Sequence, residues 1–222
     1  MTKQKKMIPL AIYVVAFYVL WALAELVVFK GINNFIENEV LRSLIEDGII
    51  KNLLWTLPAA CLIHKYKSDV FVSLKDMFST KLNWLKYLPF FLIFTAYNLA
   101  VAIIMNGKIE IVSSFGFDDI IVLLFVGLTE ELVFRGLFLN VTLNQKRKWL
   151  SLIINAIMFL VIHFPIWISN GVFVSNFTSL AFLLLMILSI IFSYTFIKSK
   201  NILVPIALHM YWDLLTFMLF IV

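Results

Sequence analysis

The chain alternates between long apolar stretches and short polar stretches. An α-helix needs about 20 apolar residues to cross the hydrocarbon core of a bilayer. The apolar stretches predict seven such spans, at residues 8–29, 48–64, 85–105, 119–143, 149–168, 177–197 and 202–222. The longest loop, 65–84, is expected to contain a short interfacial helix. The pattern therefore predicts an all-α, polytopic bundle of about seven transmembrane helices.

The composition supports a membrane protein. Of the 222 residues, 63% are hydrophobic and 14% are charged, and the mean hydropathy is +1.00. A soluble domain is about half apolar and about a quarter charged. The formal net charge of +5 could indicate nucleic acid binding. However, the basic residues are spread over short loops and form no basic surface interleaved with aromatic residues. We therefore expect membrane lipid as a partner, and no nucleic acid.

The charges in the loops predict the orientation. Basic residues precede the first span and follow the second, fourth and sixth spans, whereas the other loops are mainly acidic. Cytoplasmic loops of membrane proteins carry an excess of Lys and Arg. We therefore predict a multi-pass protein of the cell membrane with a cytoplasmic amino terminus. The basic residues are Lys3, Lys5, Lys6, Lys65, Lys67, Lys75, Lys81, Lys86, Lys146, Arg147, Lys148, Lys198 and Lys200.

Few ionisable residues remain inside the predicted spans. On insertion scales a charged residue at a helix centre costs about 2.5–3.5 kcal/mol. We therefore expect these residues to pair and to face an intramembrane polar cavity. Glu25 is the lone acid of the first span and is interpreted as a packing or interfacial residue. The complete set is Glu25, Lys51, Glu130, Glu131, Arg135, His163, His209 and Asp213.

The stretch TEELVFRG, residues 129–136, places three ionisable groups in the fourth span. Glu131 and Arg135 are four residues apart with the acid first, which is the favourable order for a helical ion pair. Glu130 lies about 100° around the helix from Glu131. We predict that Glu131 and Arg135 neutralise one another and that Glu130 is available for another role. The alternative is a buried ion network that only fixes helix packing.

Two of the three histidines also lie in predicted spans. His163 follows Phe159 by four residues, and Asp213 follows His209 by four residues, so each pair shares a helix face. A rise of about 1.5 Å per residue puts Glu130 and both histidines within reach of one cavity in the middle third of the membrane. The alternatives are a hydrogen-bonded packing histidine and a local His–Asp hydrogen bond.

These residue types are suited to hydrolysis. A desolvated carboxylate can act as a general base on water near neutral pH, and histidines can orient the water or donate to a developing oxyanion. Two histidines and one carboxylate could instead hold zinc, and the sequence does not separate the two schemes. The motifs HExxH, GxSG and GxGD do not occur. A site-2-type zinc protease, a rhomboid-like serine protease and a presenilin-like aspartyl protease are therefore not expected.

Three motifs resemble the CPBP family of intramembrane proteases, also called Abi or CAAX-protease-like. EELVFR at 130–135 matches EExxxR, FLVIH at 159–163 matches FxxxH, and HMYWD at 209–213 matches HxxxN/D. Each motif alone is weak, but all three occur in order and in separate predicted spans. We therefore expect residues 1–222 to form a single transmembrane domain. Its spans within 1–110 are variable, and 118–222 is the CPBP-like catalytic core.

The resemblance implies catalytic roles for four residues. Glu130 activates water together with His163, while His209 and Asp213 form the oxyanion side. It also implies a glutamate protease with no metal or other cofactor, with zinc as the alternative. Asp213 occupies a position where the prenyl endopeptidases have Asn, and an ionised Asp cannot donate a hydrogen bond. Asp213 must therefore be protonated or must instead orient His209. The supporting residues are Glu131, Arg135 and Phe159.

The predicted function is that of an intramembrane endopeptidase. It would hydrolyse a peptide bond in a membrane-associated peptide or membrane-anchored protein, in bacteriocin self-immunity or peptide maturation. The alternative is a non-enzymatic immunity or scaffold protein that binds a peptide in the same cavity. A transporter with a carboxylate proton relay is less favoured, because the sequence shows no internal repeat.

Overall fold

Seven long helices make up most of the described chain. The computed structural model describes residues 3–220, and the side chains of residues 8–220. No strand occurs within residues 3–220, so the predicted all-α fold is confirmed. The helices are α1 (3–35), α2 (39–65), α3 (Leu88–Asn106), α4 (117–142), α5 (Lys148–Ser169), α6 (Ala181–Ser199) and α7 (Leu203–Leu219).

Four of the described helices are long and apolar enough to cross a membrane: Ile8–Phe35 in α1, together with α3, α5 and α6. Helix α7 is apolar but shorter, and α2 and α4 carry more charged residues. These helices agree with a multi-pass membrane protein. The cytoplasmic amino terminus stays a prediction. The side chains of Lys3, Lys5 and Lys6, on which it partly depends, lie outside the described residues, as do residues 221–222 of the last predicted span.

The predicted start of the second span, at residue 48, is wrong. Helix α2 begins at Glu39, so Glu46 and Asp47 lie in a helix and not in a loop. The side chain of Asn38 accepts a hydrogen bond of 2.9 Å from the backbone N–H of Leu41 and caps this helix. Such a cap fixes a helix start without any apolar residue, which is why hydropathy placed the boundary too late.

The predicted start of the sixth span, at residue 177, is also wrong. Residues Phe173–Thr178 form a separate short helix, and α6 begins at Ala181. Leu180, between the two, has a φ of 62°, and this left-handed conformation interrupts the helix. The apolar residues of the short helix pack against the end of α5, where Phe173 lies 5.2 Å from Phe164 between ring centroids. In the longest loop, Asp76–Ser79 form the expected short helix.

Three of the long helices contain π-helical segments. These are Ala24–Val28 in α1, Leu44–Ile50 and Asn52–Thr56 in α2, and Leu132–Leu139 in α4. The segment Asn52–Thr56 is followed closely by Pro58, which has no N–H to donate to the helix. Such widened turns are often found at functional sites. Here they carry or adjoin the ionisable residues of α1, α2 and α4.

Helix α4 is the central helix of the bundle. Every residue from 129 to 140 is buried, and α4 contacts α2, α5, α6 and α7. The helix starts after Gly116, whose N–H donates a hydrogen bond of 2.8 Å to the side chain of Asp119. A carboxylate in the first turn also interacts favourably with the helix dipole. The sequence TEELVFRG therefore lies at the centre of the bundle, surrounded by other helices.

Helix α1 is fixed to α5 by two hydrogen bonds from aromatic side chains. The indole N–H of Trp21 donates to the carbonyl of Ile162 at 3.0 Å, and the hydroxyl of Tyr18 donates to the carbonyl of Met158 at 2.7 Å. Buried Tyr and Trp side chains usually satisfy their polar atoms in this way. These bonds hold α1 beside the end of α5 that carries His163.

Gly127 allows α4 and α7 to approach closely. A Cβ atom at Gly127 would lie 2.5 Å from Met210 Cγ and 3.6 Å from the carbonyl oxygen of Ile206. We expect Gly127→Val to displace α7 and to lower the free energy of unfolding by about 1–3 kcal/mol, as overpacking does. Thermal unfolding of the purified protein in detergent measures this. Gly31→Val is the control, because no atom lies within 4 Å of a Cβ there. Equal stability of the two variants would contradict the prediction.

Candidate active site

The four residues predicted to be catalytic line one cavity. Glu130 comes from α4, His163 from α5, and His209 and Asp213 from α7, and the cavity has a volume of about 1020 Å³. Ligand-binding cavities are typically about 300–1,000 Å³, so a short peptide segment fits. The sequence placed these residues within reach of one cavity, and the structure brings them together.

The cavity opens at one end of the bundle. Its lining includes Asn33 near the end of α1, Glu46 near the start of α2 and Phe217 near the end of α7. These three residues also line a second cavity of about 420 Å³, so the two cavities adjoin. With the predicted cytoplasmic amino terminus, this end of the bundle would face away from the cytoplasm.

Glu130 is buried and holds an oxygen atom with no hydrogen-bond partner. Its residue exposure is 6%, and Oε2 accepts no hydrogen bond from any described residue. The closest cationic or histidine nitrogen is His209 Nε2, at 4.0 Å. Leaving a buried carboxylate oxygen unpaired is costly, and natural proteins rarely do so without a functional reason. Glu130 is therefore poised to bind water or substrate from the cavity.

Glu131 and Arg135 form the predicted ion pair. Arg135 Nη1 donates to Glu131 Oε1 at 2.9 Å, and both side chains are fully buried. Helix α6 holds the guanidinium as well. Arg135 Nη2 donates to the carbonyl oxygen of Ser189 at 2.9 Å and to its hydroxyl oxygen at 2.7 Å. Arg135 Nε donates to the hydroxyl oxygen of Ser193 at 3.3 Å. The pair is thus part of a hydrogen-bonded network.

The network continues into α5. The hydroxyl of Ser193 donates to Asn155 Oδ1 at 3.0 Å, and Asn155 Nδ2 donates to the carbonyl of Phe134 at 2.9 Å. Helices α4, α5 and α6 are therefore joined by polar contacts at the level of Arg135. No sequence motif indicated the two serines of α6.

His209 gives Glu131 a second partner. The two are joined by a hydrogen bond of 2.9 Å between His209 Nδ1 and Glu131 Oε1, the oxygen that also accepts from Arg135. The interpretation of Glu131 as only the neutralising partner of Arg135 is therefore incomplete. Because an ionised carboxylate can only accept, Nδ1 donates this bond. The bond fixes the ring so that Nε2 lies 4.0 Å from Glu130 Oε2 and 3.5 Å from Asp213 Oδ2.

Phe159 contacts three residues of the site. Its ring centroid lies 5.0 Å from that of His163 and 5.9 Å from that of His209. The guanidinium carbon of Arg135 lies 4.6 Å from the same ring centroid, a cation–π contact. On its other side, His209 stacks on Phe192 with an interplanar angle of 20°. The aromatic rings thus restrict the histidine rings to one orientation each.

His163 lies at the turn that interrupts α5. Its Nδ1 is 2.8 Å from the backbone carbonyl of Phe159, and because a carbonyl only accepts, Nδ1 donates. In the neutral ring Nε2 then keeps its lone pair and can accept a hydrogen bond. His163 therefore presents an acceptor to the cavity that it shares with Glu130.

Helices α1 and α2 also contribute ionisable residues to the cavity, and of Glu25, Asp47 and Lys51 the sequence placed only Asp47 outside the spans. Glu25, Asp47 and Lys51 line it together with Glu130, so the interpretation of Glu25 as a packing or interfacial residue is incomplete. Lys51 Nζ forms an ion pair with Asp47 Oδ1, four residues earlier. The acid-first spacing of four was the available signal, but the predicted helix boundary placed Asp47 in a loop.

The arrangement does not fit a zinc site. No group of three His, Cys, Asp or Glu side chains within the described part of the chain could hold a metal ion. The candidate ligands would be Glu130, His163 and His209, but Glu130 Oε2 and His209 Nε2 are 4.0 Å apart, which is farther than two ligand atoms that each lie about 2.0–2.2 Å from one tetrahedral zinc ion. Whether the protein needs a metal stays a prediction.

Comparison with known proteins finds a family match for the segment of the chain that carries the three motifs. Residues 115–215 match the Rce1-like family, described as type II CAAX prenyl endopeptidase Rce1-like. These residues are an Rce1-like segment. The match confirms the resemblance to the CAAX-protease-like family. The Rce1-like segment contains every residue from Glu130 to Asp213 that the sequence placed in the site, whereas Glu25, Asp47 and Lys51 lie outside it.

The other comparisons found no relatives. No curated protein and no solved structure matches the chain.

Proposed function

We propose that the protein is an intramembrane endopeptidase that hydrolyses a peptide bond in a membrane-associated peptide or protein. The family of the segment supports protease chemistry in general terms. The observation that carries the specific proposal is the buried Glu130 carboxylate, whose Oε2 has no hydrogen-bond partner among the described residues and which lines the same cavity as His163. A general base needs this access to water or substrate.

In the proposed reaction Glu130 acts as the general base. It removes a proton from a water molecule while the water oxygen attacks the scissile carbonyl carbon, and His163 Nε2 accepts a hydrogen bond from the same water and orients it. The C–N bond of the resulting tetrahedral intermediate then breaks, and Glu130 transfers its proton to the leaving nitrogen. The products are one new carboxyl group and one new amine. No metal takes part.

His209 and Asp213 are proposed to face the oxyanion of the intermediate. An imidazolium has two N–H donors, so His209 can donate from Nδ1 to Glu131 and from Nε2 to the oxyanion. Asp213 Oδ2, 3.5 Å from Nε2, can donate there only when protonated. Arg135 holds Glu131 in place and so acts through it as a positioning residue.

Two substitutions distinguish a role of Asp213 as a hydrogen-bond donor to the oxyanion from a role that requires its negative charge. If Asp213 donates to the oxyanion, Asp213→Asn keeps a donor and should retain cleavage within about tenfold of the wild type. Asp213→Ala should lose about 100- to 1,000-fold in kcat, which is the usual effect of removing one oxyanion donor. The measurement is cleavage kinetics of both variants. Equal loss in both would show that the negative charge is required and that Asp213 instead orients His209.

Proteolysis of membrane peptides by the purified protein in liposomes tests the proposal. Wild type, Glu130→Ala and His163→Ala are compared in the presence of a chelator, and only the wild type is expected to cleave. Unchanged cleavage in both variants, or cleavage that zinc must restore, would contradict the mechanism.

The non-enzymatic alternative expects that all three proteins bind the peptide and that none of them forms products. A role in bacteriocin self-immunity stays a prediction. Protection of cells that survives Glu130→Gln would favour the alternative.

A further inference from the structure

The wall of the cavity opposite the Rce1-like segment carries a second carboxylate with no partner. Glu25 lies in the π-helical segment of α1, has a residue exposure of 8% and lines the cavity. Within the described part of the chain it makes no side-chain hydrogen bond and no ion pair. It does lie close enough to Lys51 and Glu130 to interact with their charges. A buried carboxylate in a membrane span normally has a partner.

The neighbouring cation, the ammonium group of Lys51, is already paired with another carboxylate. Lys51 forms its ion pair with Asp47 and lies 4.9 Å above the ring of Trp21 and 5.9 Å from that of Trp55. The carboxylate of Asp47 and two indole rings, one from α1 and one from α2, therefore hold the ammonium in place. Glu25 is left as a hydrogen-bond acceptor directed into the cavity, near the proposed general base.

The charge of the cavity favours a cationic ligand. Carboxylates outnumber lysines and arginines both along the large cavity and in the adjoining smaller one, and in the large cavity they still outnumber the basic groups when both histidines are counted as charged. A cavity with low-dielectric walls and an excess of one sign of charge concentrates ligands of the opposite sign. The acidic residues are Glu25, Glu39, Glu46, Asp47, Asp118, Asp119, Glu130 and Asp213, the lysines and the arginine are Lys30, Arg42 and Lys51, and the histidines are His163 and His209.

We propose that Glu25 binds a basic side chain, Lys or Arg, of the peptide substrate, and that α1 thereby selects the substrate. This inference rests on the proposed function in one respect, namely that the cavity receives a peptide. Because Glu25 lies near Glu130, the bound basic residue lies near the scissile bond. A carboxylate forms strong, charge-assisted hydrogen bonds with an ammonium or a guanidinium. Helix α1 lies outside the Rce1-like segment.

Matched peptides test the proposal. Membrane-spanning peptides that carry Lys, Gln or Glu at one position near the membrane surface are compared for binding, by fluorescence anisotropy, and for cleavage. The position is moved along the peptide in steps. At the best position, wild-type protein should bind and cleave the Lys peptide about tenfold or more better than the Gln peptide, since a hydrogen bond to a charged group has this effect. In Glu25→Gln the ratio should fall below about threefold.

Two further variants serve as controls, one that retains the charge at position 25 and one that removes an acid outside the cavity. Glu25→Asp retains the charge and should retain the direction of the preference, even if Glu25→Gln fails to fold. Glu37→Gln removes an exposed acid outside the cavity and should keep the full ratio. The inference is overturned if the wild type shows no preference for Lys at any position, or if the preference survives in Glu25→Gln.

Binding and cleavage separate the two proposals. If the wild type binds the Lys peptide in preference to the Gln peptide, depends on Glu25 for this preference and cleaves neither peptide, the proposed function is refuted and the inference about Glu25 is supported. Cleavage with no preference for a basic residue would do the reverse.

Discussion

Glu130→Gln is expected to lower kcat for peptide cleavage by about 100- to 10,000-fold, the usual contribution of a general base. Gln has nearly the same shape as Glu but cannot take a proton from water. Because Glu130 Oε2 accepts no hydrogen bond from the described residues, the substitution breaks no hydrogen bond to that atom. The thermal midpoint of the variant should therefore stay close to that of the wild type.

The kinetic test of Glu130 has a matched control. Glu37→Gln makes the same chemical change at an exposed position between α1 and α2, and it should leave kcat and the thermal midpoint unchanged. Cleavage by Glu130→Gln within about tenfold of the wild type would show that another group activates the water. A large loss of thermal stability would instead place Glu130 in the structural network.

Arg135→Met is expected to lower the free energy of unfolding by about 3–5 kcal/mol, because it leaves a buried charge without its partner. The variant loses the pair with Glu131 and the hydrogen bonds to Ser189 and Ser193. The carboxylate of Glu131 would keep only His209 as a partner. Denaturant or thermal unfolding in detergent measures the effect, and a loss of activity should accompany it because Glu131 fixes His209.

Arg42→Met is the control for this prediction. Arg42 pairs with Glu39 at 3.5 Å, and the side chain of Arg42 is partly exposed and that of Glu39 largely exposed, so the pair should contribute at most about 1 kcal/mol. Adding Glu131→Gln to Arg135→Met should restore part of the lost stability, since the unpaired charge is then removed. Equal stability of Arg135→Met and Arg42→Met would contradict the account of the network.

Hydropathy predicted the order of the seven long helices of the described chain but not all of their ends, and four of them are long and apolar enough to cross a membrane. A span must be apolar to enter the membrane, so seven apolar stretches indicate seven long helices whatever their packing. Helix ends follow from local geometry instead. The Asn38 cap and the left-handed Leu180 set two boundaries, and neither changes the hydropathy of its surroundings.

The site could be predicted in part for a similar reason. Ionisable residues in a span are costly and therefore few, so Glu130, His163 and His209 stood out along the sequence. Ser189 and Ser193 carry no charge, and nothing in the pattern marked them as partners of Arg135. Helical spacing showed that Glu131 reaches Arg135 on the same helix, but it could not show that Glu131 also reaches His209, because His209 lies on another helix.

Cleavage in water enriched in oxygen-18 tests the central claim most directly. A membrane peptide is incubated with the reconstituted wild-type protein and, in parallel, with Glu130→Gln, and the products are weighed by mass spectrometry. The account predicts two products from the wild type, with one heavy oxygen atom in the new carboxyl group of the amino-terminal fragment, and no products above background from Glu130→Gln. Intact peptide with the wild type, or equally labelled products from both proteins, would contradict it.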